Sequence, residues 1–480
     1  MPDHGRSEAS TEPRLRGHLG IVSIILMVIA TAAPLTVMVA NSPLIIGMGN
    51  GMAAPFDAAV ATIVMLLFTA GFVRMAPHIS NAGAFYAYIQ KGLGRVMGLG
   101  AASLALTSYF CILIAIEAYI GVAISGLIRD LGGLSFHWLP FSIFTILVIG
   151  MLGYRDVELS SIFLGIALVL EIGVVLVIDL AIAVHRPATS WDLSPFNPQT
   201  ILSGSPGLGL MFAIYCFIGF EATVVFREEA RDPDRTIPRA TYLAVLITGA
   251  FYIVSMWCEI AGLAPSRLML LAASQPDQMY LILAQEHGGT LVRDTVHVLV
   301  VTSLFACILS LHNIIVRYKF VLARLSLLPF RLSHVHAVHG SPDVASVAQT
   351  AISLVTLCGI AILGVPPVTG VYAFGATAGT IGYIVILMLT CLSVIVYFSR
   401  MKERLFWQTK VAPALAFLAL ALCLAIALSN LPALIGGTYA GELSGAAVAV
   451  IGLPFFGGLL GAAYLRAKKR ELYESLKKLA

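Results

Sequence analysis

Twelve long apolar windows, separated by short charged connections, constrain this chain more than any other feature. They lie near residues 19–48, 55–76, 98–128, 138–153, 157–184, 207–226, 239–262, 291–322, 346–364, 370–398, 411–430 and 443–465. Barrel strands would be about ten residues long, and each window is longer. A segment in lipid must also satisfy its own backbone, so the windows predict helices and an all-α polytopic membrane protein with twelve transmembrane helices. Composition agrees: of 480 residues, 59% are hydrophobic and 11% are charged, where a soluble domain carries about 25%. That balance excludes a disordered chain, a disulfide scaffold and a nucleic-acid binder. Residues 1–18 are polar, and the apolar run from Leu19 to Gly47 is too long for a signal-peptide core. The seven cysteines fall in separate apolar windows with no Cys-x-x-Cys pair, so they read as structural thiols and not as a metal knuckle.

Placement of the basic residues tests the count. With the N-terminus inside, 25 of the 29 Lys and Arg fall on the inner side, and only Arg129, Arg186, Arg267 and Arg293 fall outside. This positive-inside bias predicts both termini in the cytoplasm.

Two windows are interrupted. The first contains Ala30-Thr31-Ala32-Ala33-Pro34, small residues ending in a proline at mid-depth. The sixth contains Tyr215-Cys216-Phe217-Ile218-Gly219-Phe220-Glu221, a glycine followed by a carboxylate. Proline removes a helix donor and glycine loosens the turn. One such break alone reads as a kink. Two breaks five helices apart, in segments of opposite direction, point to inverted repeats around a site at the membrane midplane.

The chain resembles the amino acid–polyamine–organocation superfamily. The resemblance rests on Asn81-Ala82-Gly83-Ala84-Phe85-Tyr86-Ala87-Tyr88 with Gly92-Leu93-Gly94, and on Phe217-Ile218-Gly219-Phe220-Glu221. It also rests on Glu228-Glu229-Ala230-Arg231-Asp232-Pro233, Ile237-Pro238-Arg239-Ala240, and Asn313, Arg317 and Leu328-Pro329. It implies five plus five inverted helices and two more: a tail 1–18, repeats 19–184 and 207–398, helices 411–465, and a tail 466–480. The first break departs from the family's Gly-Ser-Gly, with Ala30-Thr31-Ala32 in its place.

The resemblance further implies a substrate carboxylate on free amides near Ala30, Thr31, Ala32 and Ala33, where a half-helix N-terminus suits an anion. The ammonium would take carbonyls freed around Tyr215, Phe217, Ile218 and Gly219, with Tyr215 as a gate. Glu117, Glu171, Asp179, Glu221 and Glu259 are carboxylates within windows, costly in lipid and therefore functional candidates. Glu117 and Glu171 are at mid-depth and stay candidates; Asp179 and Glu259 are nearer the outer ends, could reach the interface and read as structural. Glu117 is expected at the substrate and Glu221 at the gate. Glu171 stands where many relatives carry a lysine, and is expected to couple transport to a proton. Leu304–His312 offers no pair of hydroxyl ligands for sodium beyond Ser310.

The expected activity is secondary transport of amino acids or related amines across the cytoplasmic membrane by alternating access, as proton symport, with no cofactor or metal. An amino acid/polyamine exchanger is the alternative, since spare carboxylates could hold extra amines. An intramembrane enzyme is the rival class, and neither His-Glu-x-x-His nor Gly-x-Ser-x-Gly occurs to support it. Gly-x-x-x-x-Gly-Lys-Ser/Thr is also absent, which leaves an ion gradient or exchange as the energy source. His312 reads as a packed or hydrogen-bonded imidazole and His334-x-His336-x-x-His339 as solvated surface. Gly375, Gly379 and Gly382 read as a close-packing face, and 265–289 as a short amphipathic lid helix on the outside.

Overall fold

The computed structural model describes residues 20–79, 85–155, 161–187, 191, 193–221, 223, 230–324, 326–401, 405–432 and 440–479. Among these the regular elements are all helical. Among the described residues, nine helices are long and apolar enough to cross a membrane, and Leu139–Tyr154 and Pro206–Tyr215 are shorter apolar helices. The chain is therefore an all-α polytopic membrane protein. Residues 81–84, 224–229 and 402–404, which include part of the family motifs, lie outside the described residues.

Helix α1 spans Ile21–Ala32 and stops at Ala33, whose φ of 48° and ψ of 66° are left-handed. Helix α2 restarts at Pro34, a residue suited to a first helical position because its missing N–H would go unused there. It runs over residues 34–50 with wide π turns at Val37–Asn41 and Ile45–Asn50 on either side of Pro43. Pro43 cannot donate to the helical ladder, so the turns around it widen. Helices α3 (Ala54–Met75), α4 (Phe85–Leu93), α5 (Arg95–Gly132), α6 (Leu139–Tyr154) and α7 (Ser161–His185) follow.

Helix α8 (Pro206–Tyr215) ends in tight turns over residues 216–221. The N–H groups of Phe217, Ile218 and Phe220 donate to the carbonyls three residues back, and Gly219 has a φ of 104°. That conformation costs glycine little because it has no Cβ. Both interruptions expected from the sequence are thus real breaks, at Ala33 and Gly219.

Helices α9 (Pro233–Gly262), α10 (Pro265–Ser274), α11 (Pro276–Arg324), α12 (Asp343–Ile362), α13 (Ala373–Ser399), α14 (Ala412–Ser429), α15 (Ala440–Lys468) and α16 (Arg470–Ser475) complete the chain. The expected lid helix is α10, with Leu268, Leu271 and Ala272 buried on one face. The rest of 265–289 opens α11, which kinks at Gly289 (φ 77°). Helix α5 is central: the small face of α13 packs straight onto it, and a Cβ on Gly375 would lie 2.6 Å from the Cys111 carbonyl oxygen.

The C-terminal segment folds back on α4 and α5. Arg95 pairs with Glu474 at 2.9 Å and stacks over the Tyr473 ring at 5.0 Å, while Gln90 donates to the Leu476 carbonyl at 2.6 Å. The hydrogen bond from Arg95, helped by Lys477, holds the Glu474 carboxyl down to about 2.

Candidate functional site at the two helix breaks

The breaks face each other across a cavity of about 50 Å3. By the usual 10–15 Å3 needed per water, it has room for about three to five. Ala32 and Ala33 line it from the first break, and Tyr215, Ile218, Gly219 and Glu221 from the second. Helix α2 adds Thr36, Val37 and Asn41, and α5 adds Tyr109 and Ile112. Cys307, Ser310, Leu311 and Ile314 come from α11, and Tyr372 from the turn before α13.

Several polar groups in this lining are held by hydrogen bonds. The Tyr109 hydroxyl donates to Glu221 Oε1 at 2.7 Å, and the Tyr383 hydroxyl and Gly219 N–H donate to Oε2 at 3.3 and 3.0 Å. The carboxylate thereby caps the break in its own helix. The Tyr215 hydroxyl is hydrogen-bonded to that of Tyr372, closing one side of the cavity. Asn41 Nδ2 donates to the Phe212 carbonyl at 2.8 Å and also lies 2.8 Å from the Cys216 sulfur, so α2 is tied to the end of α8. The carbonyl of Cys216, freed by the break, accepts from the Tyr252 hydroxyl at 3.2 Å. That of Tyr215 accepts the Ile218 N–H at 3.1 Å.

Glu171 lies behind the first break and not in the cavity wall. It is 5% exposed and accepts from the Ser303 hydroxyl at 2.9 Å and from the Leu35 N–H. Thr36 Oγ1 donates to Ser303 Oγ at 3.0 Å. One carboxylate thus joins α7, the start of α2 and α11. It also takes one of the few N–H groups at the head of α2, where Pro34 supplies none.

Residues 19–452, which contain both breaks and every residue lining the cavity, match the amino acid permease family. The chain belongs to the amino acid permease family. It is 24% identical over 357 residues to the branched-chain amino acid permease BcaP of Bacillus subtilis, covering 70% of this chain and 73% of that one. It is 21% identical over 346 residues to the serine/threonine exchanger SteT of the same organism, covering 72% and 77%. It is 22% identical over 364 residues to the low-affinity putrescine importer PlaP of Escherichia coli K12, covering 74% and 77%. All three relatives are transporters by name.

In this permease the expected site residues divide into three groups. Ala32, Ala33, Tyr215, Ile218, Gly219 and Glu221 come together at the cavity. Phe217 is buried against Tyr252 and does not line it, and Glu171 meets the first break from behind. Ala30 and Thr31 end α1, but their side chains lie outside the described residues. Glu117 is elsewhere: it is 1% exposed, is not among the lining residues, and accepts from Ser353 of α12. Gln349 donates to Ser353 at 3.1 Å and Lys319 donates to Gln349 at 2.6 Å, so Glu117 ends a buried chain from an ammonium. Lys319 reaches Glu117 only through two side chains of a third helix.

Sequence reasoning missed Asn41, Thr36, Ser303, Tyr109 and Tyr383. Asn41 carried a signal, as a lone amide in an otherwise apolar stretch. Ser303 precedes by one residue the segment searched for hydroxyls. His312 is buried and meets Ser346 Oγ at 3.0 Å. His334 and His339 are exposed, and His334 Nδ1 lies 2.7 Å from Asp343 Oδ1.

Proposed function

We propose that this permease moves amino acids or related amines across the cytoplasmic membrane by alternating access, in symport with a proton carried by Glu171. The observation that carries the proposal is the pair of breaks at Ala33 and Gly219, which share one cavity, with Glu171 bonded to Leu35 beside the first. Five helices on each side would form inverted repeats over 19–184 and 207–398, followed by two helices, with both termini cytoplasmic. The relatives named above include an importer of an amine and carriers of amino acids, which supports that substrate range.

Glu171 suits the coupling role because it is held only by neutral donors. A charged carboxylate there is costly in a membrane, and a proton cancels the charge. Loss of the proton leaves an anion that grips the Leu35 N–H and Ser303; gain of it loosens both contacts and frees α2 to move against α7 and α11. The two hydroxyls beside Glu171, those of Ser303 and Thr36, are already hydrogen-bonded to the carboxylate and to each other, which favours a proton over sodium there. The name of the serine/threonine exchanger supports exchange as a second mode.

Uptake into proteoliposomes under imposed pH or sodium gradients tests the reading. Uptake should rise as external pH falls, ignore sodium, and lose its pH dependence in Glu171→Gln. Sodium-driven uptake with a flat pH profile would refute the proton assignment.

A further inference from the structure

Resting on that reading, we infer that the cavity accepts neutral α-amino acids with aliphatic side chains and rejects diamines, with Asn41 Oδ1 as the acceptor for the substrate ammonium. Asn41 is 1% exposed and lines the cavity. Its Nδ2 faces the Phe212 carbonyl at 2.8 Å, which only a donor nitrogen can do, so the amide orientation is settled. Its Oδ1 is then a buried acceptor with no hydrogen-bond partner among the described residues. Such an atom calls for a donor, and an ammonium supplies one.

A second ammonium finds no comparable place. Glu221 is the one carboxylate among the lining residues, and its two oxygens already take three donors, from Tyr109, Tyr383 and Gly219. Glu171 bonds Leu35 and Ser303 and Glu117 bonds Ser353, and neither is among the lining residues. The remaining wall is largely apolar, with Val37, Ile112, Ile218, Leu311 and Ile314. A diamine or lysine side chain would leave a desolvated charge against these groups, whereas an aliphatic side chain meets them without loss.

The test uses the full-length protein in proteoliposomes, with radiolabelled leucine as the probe and valine, isoleucine, lysine and putrescine as competitors. Valine and isoleucine should displace leucine at similar concentrations, and lysine and putrescine only at concentrations at least tenfold higher. Lysine or putrescine competing as well as valine would overturn this inference while leaving the transport reading intact. Uptake of none of these compounds under any gradient would overturn both. Asn41→Leu, checked for folding by thermal unfolding, should raise the KM for leucine at least tenfold. An unchanged KM in the folded variant would remove Asn41 from the site. Where that variant does not assemble, the competition series on the unaltered protein decides alone.

Discussion

At Ala33 a residue with a Cβ sits at φ 48° and ψ 66°, a region that costs an L-residue about 1–2 kcal/mol. Pro34 explains why the chain leaves the helix there, because its ring crowds the preceding residue out of the right-handed helical region. Ala33→Gly should therefore stabilise the fold by about 0.5–1 kcal/mol, seen as a higher midpoint in detergent thermal unfolding. Ala33→Val should destabilise it by roughly 1–3 kcal/mol and abolish uptake, since a β-branched residue fits this conformation worst. If the valine variant melts with the wild type, the turn is not held as the structure shows it.

Between elements, the chain Lys319–Gln349–Ser353–Glu117 joins α11, α12 and α5 through donors that all point from the ammonium towards the carboxylate. Every member is buried, Lys319 at 9% exposed and the others at 1% or less. Removing a link from a buried charged network costs about 3–5 kcal/mol because the stranded charge keeps its desolvation penalty. Gln349→Leu should lose stability on that scale. Lys319→Met together with Glu117→Gln should cost clearly less than the two single changes added, because neither charge is then stranded. Additive losses in thermal unfolding would show that the two ends are not coupled. Glu117, expected at the substrate, is thus placed in this network and not among the residues lining the cavity.

For the whole molecule, the proposed orientation rests on charge placement, which with an inside N-terminus would put 25 of 29 basic residues in the cytoplasm. Leu193, 69% exposed between α7 and α8, should face outside, and Val338, 82% exposed between α11 and α12, should face the cytoplasm. In a cysteine-free background, Leu193→Cys should react with an impermeant maleimide on intact cells, and Val338→Cys only after permeabilisation. Labelling in the reverse order would invert the topology. Cys307 must be among the thiols removed, because it lines the cavity.

The sequence by itself determined the helical membrane fold, because lipid leaves few ways to satisfy a backbone and the apolar windows declare the spans. It also located both helix breaks, since Pro34 and Gly219 act through their own covalent chemistry, wherever the neighbours lie. The identity of the groups that meet at those breaks was another matter. Whether a mid-membrane carboxylate faces a cavity or a neighbouring helix depends on which way each helix is rotated, and rotation is settled by packing among many segments. Glu117 and Glu171 looked equivalent at similar depth. Tertiary structure sent one to Ser353 and the other to Leu35 and Ser303. Asn41 became a site residue for the same reason: its amide needs Phe212, 171 positions away, to fix which of its atoms is left for a substrate.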